Sequence, residues 1–349
     1  MESSVSLSNG GNYMDRTYFR VNTLAPNDGQ LSVFYKKVGE KKSDGFAFIE
    51  DGEIYIIDAG LPEDTGLLDF LLSLRETWLS GMPEQIADEN ARLEIHIIVS
   101  HPHTDHIGAM PAILSDPRIC ALSLRAPTRS WRSGDVPEAI GRLVQFEDNL
   151  DALPALLETF RHTTKKIQRI PFGEKISFPL GNHGTRVTLY PAPYDWSEDR
   201  PSEREGFRFL INDPHGSYGS NRELSYANGI LNGNSLWTKI AKGNQTVLFT
   251  GDQRASDEML GAMLRYYGEA EFGCQILKLT HHGEVNYCPQ LLAAANPKIA
   301  IFSGTPRLIT QETEHLCQEM GAQRYYLCDG SLTLTLDGSS ITAKGIEPR

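Results

Sequence analysis

Nothing in this chain of 349 residues marks it as disulfide-built, membrane-spanning or polybasic. It has five cysteines, Cys120, Cys274, Cys288, Cys317 and Cys328, an odd number with no close pair of the kind a structural zinc knuckle uses. Scattered like this, they read as small buried hydrophobes of a reduced protein. No apolar run approaches the ~20 residues that a membrane span requires. The segment Met1 to Asn12 is rich in Ser, Gly and Asn, with neither a basic start nor an apolar core. It reads as a disordered tail (1–12), not as a signal peptide. Lys and Arg number 33 against 45 Asp and Glu, a formal charge of −12, and no basic run offsets the deficit. Nucleic acid and anionic membranes both favour basic surface, so neither is expected as a partner. A cytoplasmic protein is the expectation. Its 40% hydrophobic and 22% charged residues suit an ordinary globular domain with a substantial core.

Leu31, Val33 and Tyr35 alternate with polar residues, and Phe46–Ile49 and Ile54–Ile57 flank the turn Asp51-Gly52, which predicts a hairpin. Leu67, Leu68, Leu71, Leu74 and Trp78 recur at helical spacing, predicting a helix over 63–79. A buried strand is expected from Leu93 to Val99 and a short helix from Ile107 to Leu114. The span 115–181 reads as an insertion, with a strand at Ile119–Leu124 and a helical stretch over 137–162. A loop over 196–228 follows. In the second half, strands are expected at 235–240, 246–250, 276–279 and 299–302, then a helix over 312–320 and closing strands over 325–341. Strands alternating with helices in both halves predict two sheets packed face to face with helices outside, within one domain over 13–349.

Chemistry gathers at the ends of these strands. Ser100-His101-Pro102-His103-Thr104-Asp105-His106 places three of the ten histidines and an aspartate in six residues, after a strand that fixes their exit. Imidazole nitrogen and carboxylate oxygen in such a cluster suit a borderline divalent cation. Asp252 and the pair His281-His282 follow two further strands. Two cations consume these groups naturally. His101 and His103 hold the first; Asp105, His106 and His281 or His282 hold the second; Asp252 bridges. Two such ions hold a hydroxide between them, because bound zinc lowers the pKa of water to about 7. No nucleophilic serine or cysteine is needed. Neighbouring residues on an extended chain point in opposite directions, which favours one ligand from the pair: His282, with His281 left near the leaving group as an acid or phosphate contact.

The chain resembles the metallo-β-lactamase-fold hydrolase superfamily over most of its length. Ile54 to Gly60, the His-x-His-x-Asp-His run from His101 to His106, and Thr250-Gly251-Asp252 carry the likeness. Asn234-Ser235-Leu236, Leu277-Lys278-Leu279-Thr280-His281-His282-Gly283 and the segment Pro297 to Ala343 look like the competence (DNA-uptake) and phosphorylcholine-esterase-like branch. The resemblance implies an α/β, four-layer αββα sandwich with a dimetal site. Two divalent ions are expected, zinc first, with manganese or iron as alternatives. It also implies that Asp58 supports the histidine ligands. Many members carry a third histidine before the Thr-Gly-Asp strand, where this chain has Asn232-Gly233-Asn234-Ser235, so Asn234 or water is expected to complete the first ion's shell. The loop histidines His183 and His215 read as solvated. Glu284 stands where close relatives have serine, and Ser303 to Arg307 where they commonly have a histidine.

The expected activity is metal-dependent hydrolysis of a phosphodiester or a similar small ester. A competence-type nuclease and a non-catalytic metal-binding module are the alternatives. The superfamily's redox diiron members replace the second motif histidine with glutamate, whereas this chain has His103. Tyr226 on the long loop and Arg254 beyond Asp252 are candidate substrate contacts, and Asp105 and His281 the candidate catalytic residues.

Overall fold

The computed structural model describes residues 30–39, 41–81, 90–127, 159, 167–193, 231–253, 257–284 and 288–349. Strand β1 (Leu31–Tyr35) leads into a hairpin of β2 (Gly45–Glu50) and β3 (Glu53–Asp58). Its turn residues Asp51 and Gly52 both have positive φ, 51° and 78°, the backbone that a tight two-residue hairpin demands. Helix α1 (Gly66–Ser80) turns Leu67, Leu71 and Trp78 onto this sheet. Strand β4 (Leu93–Ile98) then pairs parallel to β3. The single short helix expected after it is two: α2 (Thr104–Ile107) and α3 (Met110–Ser115), separated at Gly108-Ala109. Strands β5 (Ile119–Pro127) and β6 (Ile167–Ile170) extend the sheet in parallel. The ends of the span read as an insertion are therefore sheet; its predicted helical middle, residue 159 apart, lies outside the described residues, as do the tail and the 196–228 loop.

The second sheet repeats the plan. Strands β7 (Ile176–Leu180), β8 (Thr185–Tyr190), β9 (Trp237–Lys242) and β10 (Gln245–Phe249) are antiparallel. Parallel strands follow: β11 (Ile276–Lys278), β12 (Ile299–Phe302) and β13 (Gln323–Tyr326). Between them run α4 (Asp257–Tyr267), α5 (Pro289–Ala295) and α6 (Gln311–Glu319). The chain then returns to the first sheet as β14 (Leu332–Leu336) and β15 (Ile341–Gly345), with β14 flanking β1. The strand orders are β15-β14-β1-β2-β3-β4-β5-β6 and β13-β12-β11-β10-β9-β8-β7.

Side-chain alternation sets the four layers. In β3, Ile54 and Ile56 face α1 to α3, while Tyr55 and Ile57 face the other sheet. In β12, Ile299 and Ile301 fill the space between the sheets, and Ala300 and Phe302 pack with the helices outside the second. Burial on both faces explains why these strands read as unbroken apolar runs. The result is an αββα sandwich of helices, two sheets and helices. Among the described residues no helix is long and apolar enough to cross a membrane.

Candidate metal centre

The carboxyl ends of parallel strands in open α/β sheets are where ligands bind, because the loops there diverge and leave a crevice. Here five strand ends contribute. Asp58 closes β3, the His101–His106 turn follows β4, Asp252 follows β10, His281 and His282 follow β11, and Ser303 follows β12. The two sheets meet tightly at this point. Gly251 has φ 53°, and a Cβ there would lie 2.9 Å from Ser235 and 3.1 Å from Ser100, so only glycine brings the Asp252 turn against the histidine turn. Ser235 Oγ accepts from the Asp252 N–H at 3.1 Å, and the Leu236 N–H donates to the Ser100 carbonyl at 2.9 Å.

His101, His103, Asp105, His106, Asp252 and His282 are all buried at this junction. His101 Nε2 and His103 Nδ1 are 3.0 Å apart. His106 Nε2 is 3.2 Å from Asp252 Oδ1. His282 Nε2 is 3.2 Å from Asp105 Oδ2 and 3.1 Å from Asp252 Oδ2. Two atoms bound at ~2.0–2.1 Å to a tetrahedral zinc lie roughly 3.3 Å from each other, so these spacings suit a shared cation. His106 Nε2, His282 Nε2, Asp105 Oδ2 and both Asp252 oxygens are buried without an aligned hydrogen bond. Leaving one such group unsatisfied costs ~1–3 kcal/mol, and more when it is charged; a cation satisfies several at once. On both counts the residues present fit a metal.

Carboxylates brace the two histidines at the centre. Asp58 Oδ2 accepts from His106 Nδ1 at 2.8 Å and from the Ser100 hydroxyl at 2.6 Å, and Oδ1 accepts from the Ser100 N–H at 2.8 Å. Asp44 Oδ1 accepts from His282 Nδ1 at 3.0 Å and from the Ser303 hydroxyl. Such partners fix the ring and aim Nε2 at the metal position. They also set the charge. Burial alone lowers the pKa of both rings, but Asp252 and Asp58 carry His106 well above its ordinary value. Asp252 and Asp44 take His282 up to about 10. Burial acts to raise Asp252, and His282 and His106 overcome it, holding that carboxyl well below its usual range. His101 and His103 differ. Burial holds His101 well below its ordinary value and His103 down to about 4, and the neighbouring carboxylates do not reverse it.

Asp44 is the residue that sequence reading missed. It offers a ligand atom within 4.8 Å of those of His106, Asp252 and His282, yet it sits in the loop after β1 with no histidine nearby in sequence. Lys278, buried on β11, contacts its other oxygen. His281 and His282 are not on extended backbone, as the alternation argument assumed. Both are left-handed, with φ 48° and 61°. His282 turns fully inward, while His281 Nε2 stays 3.8 Å from Asp252 Oδ2 with its side chain 16% exposed. Asn234 is buried, and among the described residues neither polar atom of its amide has a partner. Glu284 is turned to the Thr305 N–H, tying this turn to the loop after β12. Lys42, a third exposed, reaches Asp105 Oδ2 at 3.3 Å. His183 pairs with Asp51 at 3.2 Å, at the β2–β3 turn. Tyr226, Arg254 and His215 lie outside the described residues.

The family model of the Metallo-beta-lactamase superfamily matches residues 46–262. No curated protein matches the chain. Among solved structures, the diiron beta-hydroxylase CmlA from Streptomyces venezuelae aligns at 12% identity and a TM-score of 0.44, over 88% of this chain and 54% of CmlA. This chain therefore spans about half the length of that protein. Zn(2+)-bound PqqB from Methylobacterium extorquens aligns at 13% identity and 0.42, over 88% of this chain and 99% of PqqB. The metallo-beta-lactamase fold protein YhfI from Bacillus subtilis aligns at 10% and 0.43, over 90% and 100%.

Proposed function

The chain belongs to the metallo-β-lactamase superfamily, and from that premise we propose that it is a metal-dependent hydrolase acting on a phosphodiester or a similar small ester. His101 and His103, with the Asn234 amide, would hold a first cation; Asp105, His106 and His282 would hold a second, with Asp252 available to either. Asp58 and Asp44 keep His106 and His282 turned inward. When bound, divalent cations such as zinc supply an activated water and neutralise charge that develops on the substrate oxygen.

The remaining work falls to the chain's own side chains. His281, the partly exposed histidine of the cluster, borders the shared carboxylate. Burial holds it down to about 4, so at neutral pH it meets a leaving oxygen as a neutral hydrogen-bonding ring and not as a stored proton. Lys42 places a cation at the rim, which suits an anionic ester better than a neutral one. The segments Asn234 to Leu236, Leu277 to Gly283 and Pro297 to Ala343 support the competence and phosphorylcholine-esterase-like branch, from which Ser303 to Arg307 departs by lacking a histidine. The net charge of −12 favours a small substrate over a nucleic acid.

One observation carries the reading: buried ligand atoms from two sheets converge at 3.1–3.2 Å, and among the described residues His106 Nε2, His282 Nε2, Asp105 Oδ2 and both Asp252 oxygens have no aligned hydrogen bond. The test is hydrolysis of bis-p-nitrophenyl phosphate by protein of measured metal content, with Asp105→Ala and Asp252→Ala beside it. Turnover that follows zinc or manganese and is lost in both variants supports a metallophosphodiesterase. Two bound metals without turnover move the substrate to carboxylic esters or thioesters, and protein that takes up no metal overturns the proposal.

A further inference from the structure

A fully buried lysine is costly unless its charge is paired. Lys278 is one, on β11, and its ammonium makes no aligned hydrogen bond among the described residues. Its partner is Asp44 Oδ2, in direct contact, and the next carboxylate is Asp252 Oδ1 at 3.9 Å. Asp44 spends its other oxygen on His282 Nδ1 and the Ser303 hydroxyl. Lys278 and His282 are neighbours along the chain, but the carboxylate joining them comes from 238 residues away.

Asp44 is close enough to the centre to be a ligand, and a dication attracts any free carboxylate at that range. A carboxylate that swung onto the metal would release Nδ1 of His282, and with it the ring's aim. We propose that Lys278 and Asp44 act as one positioning unit. The buried ammonium holds Asp44 away from the cation and turned to His282 Nδ1, so that Nε2 faces the second metal position. The inference rests on the metal-centre reading above.

The test measures affinity at the tighter metal position by competition between the purified protein and a chromophoric chelator, with zinc as probe. Wild type, Asp44→Asn, Lys278→Met and the double variant are compared, and the metal-free melting temperature of each is recorded. An asparagine at 44 has one acceptor oxygen for three donors: His282 Nδ1, the Ser303 hydroxyl and Lys278. Each single change is expected to weaken binding about 10–100-fold. The double variant is expected to be no more than about threefold weaker than the worse single one, because either change already dismantles the unit. Effects that multiply overturn the inference, as does a lowered melting temperature with unchanged affinity; the pair is then a structural one. Wild-type protein that binds no zinc overturns the metal-centre reading itself and the inference with it. If Lys278→Met does not fold, Ser303→Ala replaces it, with the same expected coupling to Asp44→Asn and the same overturning result.

Discussion

The two halves of the centre are made of the same residue types but are held differently. His106 and His282 each lean Nδ1 on a buried carboxylate, Asp58 or Asp44. His101 leans on the Ser100 hydroxyl at 3.0 Å, and the far nitrogen of His103 is buried with no hydrogen-bond partner among the described residues. Asp105 and Asp252 come within 3.2 Å of the first pair of rings; they act on His101 and His103 as well, without overcoming the burial of those rings. The His106 and His282 side is therefore pre-aimed by carboxylates and charge-rich, and the His101 and His103 side is neutral, with no carboxylate hydrogen-bonded to either ring among the described residues. A dimetal motif read as a string of letters suggests two equal positions. The surroundings make them unequal.

Asp252→Ala removes the group common to both halves, so the largest effect is expected there: a roughly 10²–10³-fold fall or more in kcat/KM, with bound metal reduced in elemental analysis. Next, His282→Ala and His101→Ala should each lose one metal per chain, yet only His101→Ala should keep the tightly bound one. Equal residual affinities in the two variants, measured by chelator competition, would erase the distinction. Asp58→Asn should then cost about 10–100-fold in affinity at the braced position, and Ser100→Ala visibly less, because a hydroxyl orients more weakly than a charged partner.

The smallest effect is one of pH. In the metal-free protein His282 keeps its proton up to about 10, so a metal must displace that proton. His106, also carried well above its ordinary value, must give up a proton too, so affinity at the braced position should rise with pH through the neutral range by up to tenfold per unit for each of the two protons. His103 is neutral above about 4, so affinity on its side should be flat from pH ~5 upward. Proton release during zinc titration in weak buffer distinguishes the two: it should accompany the tight ion and not the weak one.

What the sequence reveals follows the same division. The His101–His106 turn is contiguous, so its density of ligand types and the strand before it are visible at a glance. Asp58, Asp252 and His282 each close or follow an apolar strand and are legible for that reason. Asp44 is not, because a lone carboxylate in Lys41-Lys42-Ser43-Asp44 looks like solvated loop until the fold carries it to His282. Lys278 reads as one polar residue in an apolar strand, and only its burial shows that it is paired. The β7–β8 hairpin escaped because β7 is only five residues long and carries Pro179, which weakens a run as a strand signal. Helix α4 carried a usable signal in Met259, Leu260, Met263 and Leu264, all buried on one face. The crossing of β14 and β15 back to the first sheet has no local signature at all.

That crossing bears on when the centre comes into being. The loop from Lys36 to Asp44 is stitched to the far part of the chain: Val38 N–H donates to Leu327, and Lys37 N–H to Ser331, 294 residues along. During synthesis, the histidine turn is complete long before the segment that anchors the Asp44 loop leaves the ribosome. Contacts of such long range form late, since the chain entropy of closing the loop must first be overcome. A half-made chain thus carries its histidines without the Asp44 brace, and the centre is complete only as the last strands of the first sheet dock.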